Sequence, residues 1–354
     1  MNAILTQKGG SRAVAIWLLV GVGMIMIQVL LGGITRLTGS GLSITEWKPI
    51  LGTFPPMNEQ DWLAAFDQYK QIGQFKHINF DFTLSDFKFI YFWEWFHRVW
   101  ARLIGLVFLF PFIYFIWKKQ INGEMVIPMI ILFLLGALQG ALGWIMVKSG
   151  LNEDNLYVSH IRLAIHFMAA LGLLCYTLWF SFQLLIPESA RIFQPAVKKN
   201  MHFILGILVL QLIYGAFMAG LKAGSFAPTW PTMNGQWWPE GIADAKGSFF
   251  ITDNPITVQF IHRGLAYLMT ALIVAWYFKV RKISLSGLFS KYSHLPLLLV
   301  VLQVVLGILT VVYSTNAATL LWLGVSHQFV AMLLLMSLVF MTYLLRGQRA
   351  GDRG

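Results

Sequence analysis

The chain has 354 residues, 57% of them hydrophobic and only 12% charged. With a mean hydropathy of +0.67, it has too little polar surface to coat a soluble protein of this size, which points to a bilayer. The formal charge of +11 is not a nucleic-acid surface, because it is segregated by loop. Lys and Arg heavily outnumber Asp and Glu at both termini and in the even-numbered loops. The odd-numbered loops hold 8 basic against 11 acidic residues. That is the positive-inside pattern, with both termini cytoplasmic.

Eight apolar runs reach the ~20 residues that cross a hydrocarbon core: 13–34, 89–117, 126–147, 158–186, 201–220, 256–280, 295–313 and 320–345. The first is too long for a cleaved signal and lacks a small-x-small cleavage site. Nothing before it resembles an organelle presequence, so a bacterial inner membrane is the expected setting, with the lipid bilayer as a partner. The first run carries Gln28 and Gly32 and leads, past Arg36, into a long outer loop, 35–88. Within that loop Asn58 is an expected N-cap, and Trp62, Phe66, Tyr69 and Ile72 recur at helical spacing. They predict a short amphipathic helix resting on the outer surface, a lid being the alternative.

The second run carries Glu94, His97, Arg98 and Arg102, and the third Gln139 and Gly143. The fourth carries Arg162, His166 and the lone Cys175, with His160 at its mouth. One cysteine makes no intramolecular disulfide and no Cys-x-x-Cys site. The fifth run repeats the first, with Gln211 and Gly215, and a second long outer loop follows at 221–255. The sixth has Gln259, His262 and Arg263, the seventh Gln303 and Gly307, and the eighth His327.

These landmarks recur in one order. His97 and His262 are 165 residues apart, Gln139 and Gln303 164, and His166 and His327 161. Two halves of four spans each share one orientation, so they are parallel repeats about an axis near the membrane normal. The expected fold class is therefore an all-α integral membrane protein whose eight transmembrane helices form two parallel-repeat four-helix bundles. Residues 1–190 make one half and 191–354 the other.

Four histidines, His97, His166, His262 and His327, lie about seven to nine residues past the outer entry of their runs, a common depth toward the outer side. Ionisable residues inside a span are functional hypotheses by default. Paired histidines on facing helices suit the two axial positions of a haem iron. No thiol or second carboxylate accompanies them to make a zinc or di-iron site. Paired copper or zinc sites are the alternative, but the apolar, aromatic and Gly-rich surroundings fit a flat macrocycle. The pairing that keeps each site within one half is His97 with His166 and His262 with His327. Arg162, one turn outward of His166, is an expected propionate partner, with Arg98, Arg263 and Arg36 as further candidates for that role or for support of the site. Glu94 is the only carboxylate inside the predicted runs and is Gln259 in the other half. That mismatch marks Glu94 as the candidate catalytic acid, in one site for chemistry beside another that holds a cofactor. The simpler account is a salt bridge to Arg98.

At these residues the chain resembles the haem A synthase family. The first-loop stretch Gly32-Gly33-Ile34-Thr35-Arg36-Leu37-Thr38-Gly39-Ser40-Gly41-Leu42-Ser43, then Glu46-Trp47-Lys48-Pro49, carries the likeness. So do Glu94 to Arg98, Arg162 to His166, Phe260 to Arg263 and Ser326-His327-Gln328. The resemblance covers nearly the whole chain. It implies oxidation of the C8 methyl of haem O to the formyl of haem A, for assembly of a terminal cytochrome oxidase. It also implies substrate haem in the first half, haem b as cofactor in the second, haem O synthase as a partner, and an unidentified electron carrier. Some bacterial members have a cysteine pair in the first loop. Residues 35–88 have none, as in the branch that includes the mitochondrial enzymes. From spacing alone, a di-haem b-type cytochrome exchanging electrons with quinol, or a parallel-repeat transporter, fits the same frame.

Overall fold

The computed structural model describes residues 9–46, 51–152, 155–243, 250–283 and 287–347. Trp47 and Pro49 of the first-loop stretch lie outside them. The described residues form α1 (Gly9–Leu37), α2 (Glu59–Tyr69), α3 (Gly73–His77), α4 (Leu84–Trp117), α5 (Gly123–Lys148) and α6 (His160–Leu185). The second half continues with α7 (Pro195–Gly220), α8 (Pro255–Arg281), α9 (Gly287–Tyr292), α10 (Leu295–Val312) and α11 (Ala317–Leu344). Eight helical stretches are long and apolar enough to cross a membrane, as the apolar runs predict.

Caps set the helix starts. Asn122, Ser159, Asn254 and Asn316 accept backbone N–H groups at the heads of α5, α6, α8 and α11, satisfying donors that have no intrahelical partner. Thr83 and Asp86 form a reciprocal capping box at the head of α4, which starts that helix five residues before the predicted 89. The charged Asp86 and Lys88 end the apolar run there, but they do not end the helix. At 34 residues and 1.5 Å per residue, α4 outruns a hydrocarbon core of ~30 Å. Its N-terminal end is thus longer than a crossing needs and forms a post.

The predicted amphipathic helix packs on that post. Asn58 caps α2 through Asp61 N. Phe66, Tyr69 and Ile72 are buried with Phe87 and Ile90, and Trp62 meets Tyr91 edge-on at 5.0 Å. Tyr69 donates to Gln74 and accepts from Asn79. Burial pushes its phenol up to about 12, the Asn79 bond opposes this, and the charge of Glu94 adds to it. The helix is thus anchored to the fold, more than a strip resting on headgroups.

Of the eight spans, α1, α6, α7 and α11 bury most and α4 least. The inner four make one continuous core with Leu174, Met201, Ile204 and Leu338 fully enclosed. The contacts of these four are reciprocal: α1 packs on α11 as α6 packs on α7, and α6 also meets α11. On the outside α4 lies against α1 as α8 lies against α7, and α5 against α6 as α10 against α11.

Candidate functional site

Each of the four histidines faces a glycine on a neighbouring helix, and three of them also meet a glutamine one turn before it. A Cβ built on Gly32 would lie 3.3 Å from His97 Cε1. The corresponding distances are 3.3 Å from Gly143 to His166, 3.3 Å from Gly215 to His262 and 3.0 Å from Gly307 to His327. Carbon atoms prefer ~3.5–4.0 Å, so only glycine lets the imidazole lie this close to the helix backbone. Four residues before each glycine stands Gln28, Gln139, Gln211 or Gln303. Gln28 Nε2 is 3.2 Å from both ring nitrogens of His97. Gln211 Nε2 is 3.4 Å from His262 Nε2, and Gln303 Nε2 is 3.2 Å from His327 Nε2. Gln139 differs, because both its polar side-chain atoms are enclosed and make no hydrogen bond.

The rings associate within halves. His97 and His166 are near enough for their charges to interact, as are His262 and His327. Among the described residues no three His, Cys, Asp or Glu side chains converge, so the histidines stand in twos. The Gln-x-x-x-Gly element, once per odd-numbered span, is visible in the sequence as a landmark of the repeat. Its role against the imidazoles appears only when the helices are packed.

Helix starts do not give the expected common count of seven to nine residues. His166 and His262 follow it, but the capping box of α4 and the early start of α11 place His97 and His327 deeper along their helices. The extra turns lie on the outer side of the predicted entries.

Glu94 is only 2% exposed. Its Oε1 accepts from Arg98 Nη2 at 2.6 Å, and its Oε2 from Ser43 Oγ at 2.8 Å and Ile44 N at 2.9 Å. Arg98 also donates to the carbonyls of Ile44 and Glu46. The two side chains clasp the first outer loop onto α4. The second half repeats the clasp without a carboxylate: Gln259 Nε2 donates to Ala227 O at 2.9 Å, and Arg263 donates to Ala227 O and Thr232 O. Arg98 and Arg263 are therefore spent largely on loop carbonyls. Arg162 donates to Ile145 O on α5. The Arg36 side chain, in the last turn of α1, has no hydrogen bond or ion pair among the described residues. His160, at the head of α6, is mostly enclosed, 3.4 Å from Asp253 and edge-on to Phe217.

The halves are joined beside the histidines. Gln328, next to His327, donates to Val29 O at 3.1 Å, and its amide occupies the space that a side chain on Gly33 would need. On the reciprocal seam Phe167, next to His166, packs into the cluster of Ala164, Ala216, Phe217 and Val258.

The sequence matches the COX15-CtaA family model, described as cytochrome oxidase assembly protein, over residues 15–339. The chain is 46% identical over 330 residues to the heme A synthase of Flavobacterium psychrophilum, covering 92% of this chain and 96% of that one. It is 41% identical over 339 residues to the heme A synthase of Flavobacterium johnsoniae, covering 94% and 98%. A third relative, the heme A synthase of Wolbachia pipientis wMel, is 40% identical over 339 residues, covering 94% and 93%. The chain belongs to the COX15-CtaA family of cytochrome oxidase assembly proteins.

Proposed function

We propose that this chain is a haem A synthase of the bacterial inner membrane, an oxidoreductase that converts the C8 methyl of haem O to the formyl of haem A. The observation that carries the reading is the pair of imidazole frames, each walled by a Gln-x-x-x-Gly helix, with Glu94 in one where the other has Gln259. Glycines that leave no room for a Cβ, and enclosed glutamine oxygens without partners at Gln28, Gln211 and Gln303, suit a large flat ligand with tightly fitted walls. The residues fit a haem.

In this reading residues 1–190 and 191–354 are two parallel four-helix halves. The reciprocal seams α1–α11 and α6–α7 support that division. His97 and His166 hold haem O as substrate, and His262 and His327 hold haem b. Bound haem b supplies one-electron transfer. Both termini are cytoplasmic, and the sites lie toward the outer side. Three donors, Arg98 on Oε1 and Ser43 and Ile44 N on Oε2, fix the orientation of the Glu94 carboxylate. A fixed carboxylate of this kind is better suited to stabilise positive charge or to orient water at the substrate's edge. Arg36, whose guanidinium has no partner among the described residues, is the strongest propionate anchor of the four arginines. Arg162 is the second, while Arg98 and Arg263 support the loops. A haem O synthase supplies the substrate, cytochrome oxidase assembly consumes the product, and an electron carrier completes the oxidation.

One observation favours a second reading, a di-haem b-type cytochrome exchanging electrons with quinol. Glu94–Arg98 and Gln259–Arg263 do the same loop-holding work, so the acid alone does not make the halves chemically different. A Glu94→Gln chain separates the readings. Loss of haem A formation with both haems retained supports the synthase, and undiminished haem A formation removes Glu94 from the chemistry.

A further inference from the structure

The two halves differ in one packing relation. In the C-terminal half α8 also packs on α10, which closes the ring of helices around His262 and His327. In the N-terminal half α4 makes no comparable contact with α5. Both helices also carry glycines with open space beside them. Gly105 on α4, and Gly136 and Gly140 on α5, have nothing within 4 Å of a built Cβ. The repeat counterpart of Gly136 is Val300, only 2% exposed. A second observation lies on the same side of the same frame. Gln139 is the one glutamine of the four with both polar atoms enclosed and unbonded, whereas Gln28, Gln211 and Gln303 each reach their imidazole. Across the frame, Gln28 Nε2 lies 3.2 Å from the His97 ring nitrogens and donates to the one that carries no proton.

We propose that the N-terminal frame opens sideways to the bilayer between α4 and α5. Substrate haem enters and product haem leaves through this gap, and Gln139 with His166 forms the side that readjusts at each exchange. The proposal rests on reading this frame as the substrate site. A resident cofactor needs a closed ring, because release is not part of its work. A substrate site must open every turnover, and parting interdigitated helices each time would break close-packed contacts. A lipophilic macrocycle that arrives through lipid also keeps its apolar faces out of water throughout. An enclosed amide without a partner is costly unless a ligand or a rearrangement satisfies it, so Gln139 marks where the frame changes when it is filled.

The test follows haem O transfer from donor vesicles into the purified chain in liposomes, read as the growth of a second b-type absorbance beside that of the C-terminal haem. Gly140→Trp and Gly105→Trp place bulk in the gap, and Val301→Trp, on the exposed side of α10, is the control. The gap variants are expected to slow uptake roughly tenfold or more, the effect of about 1.4 kcal/mol on a barrier, while the control matches the unsubstituted chain. If a tryptophan variant loses the C-terminal haem through misfolding, Gly136→Leu serves in its place. Uptake at the unsubstituted rate in the gap variants overturns the proposal, and so would a gap that merely holds lipid chains. In a second arm, His166→Ala is expected to retain haem O in a high-spin, five-coordinate state while His97→Ala loses it. Equal behaviour of the two overturns the assignment of the adjusting side. Failure of the function itself is separate: the unsubstituted chain would then take up haem O and yield no haem A on extraction.

Discussion

The glycine walls yield a prediction with a size and a rank order. In Gly307→Ala the new methyl would lie 3.0 Å from His327 Cε1, and in Gly215→Ala 3.3 Å from His262 Cε1. Against a preferred separation of ~3.5–4.0 Å, the ring must retreat by several tenths of an ångström. Overpacking of this kind costs about 1–3 kcal/mol, equivalent to roughly 5- to 150-fold in binding. Helix propensity acts in the opposite direction, since alanine is favoured over glycine by about 1 kcal/mol in a helix interior. The haem-free chain is therefore expected to keep its thermal stability while haem retention falls, more for Gly307 than for Gly215. Purified variants are assayed for bound haem by absorbance and for haem loss to excess apomyoglobin. Unchanged haem content and loss rate in both variants refute the reasoning that these glycines form the walls of the site.

Other perturbations test the neighbouring features. Glu94→Gln removes the counter-charge of Arg98 and costs on the order of 3 kcal/mol in thermal unfolding, with the C-terminal haem still bound. Stability equal to the unsubstituted chain contradicts the clasp. Arg36→Gln is expected to weaken substrate haem in the N-terminal half and spare the C-terminal haem, measured as two separate absorbance titrations. Gln328→Leu removes the bond to Val29 O and is expected to slow reduction of one haem by the other in stopped-flow measurements, without changing how much of either is bound. Tyr69 titrates at about 12 when folded, above ~10 for a free phenol. The docking of α2 is thus fully supported below pH 10 and loses that support as pH rises through 12. Fluorescence of Trp62 should report this loss, and it should vanish in Tyr69→Phe.

Much of this was legible in the sequence because the bilayer forces each span into a helix and the repeat supplies its own cross-check. The eight runs and the Asn58 cap follow from local pattern. The start of α4 was not legible, because a hydropathy reading ends at Asp86 and Lys88, whereas the helix is set by a capping box. The clasp of Glu94 was only half legible. The i,i+4 spacing shows Arg98, but Ser43 and Ile44 reach the carboxylate only after the loop folds back some fifty residues in sequence. The Gln-x-x-x-Gly elements were in plain view as repeat markers. Their contact with the imidazoles depends on helix rotation, which no single run encodes.

The central claim is tested most directly by expressing the chain together with a haem O synthase in cells that make neither haem A nor a related synthase, then extracting and identifying the haems. The account predicts haem A, with a formyl in place of the C8 methyl, and its disappearance in the Glu94→Gln chain. Unaltered haem O in a chain that keeps a normal b-type spectrum would contradict it.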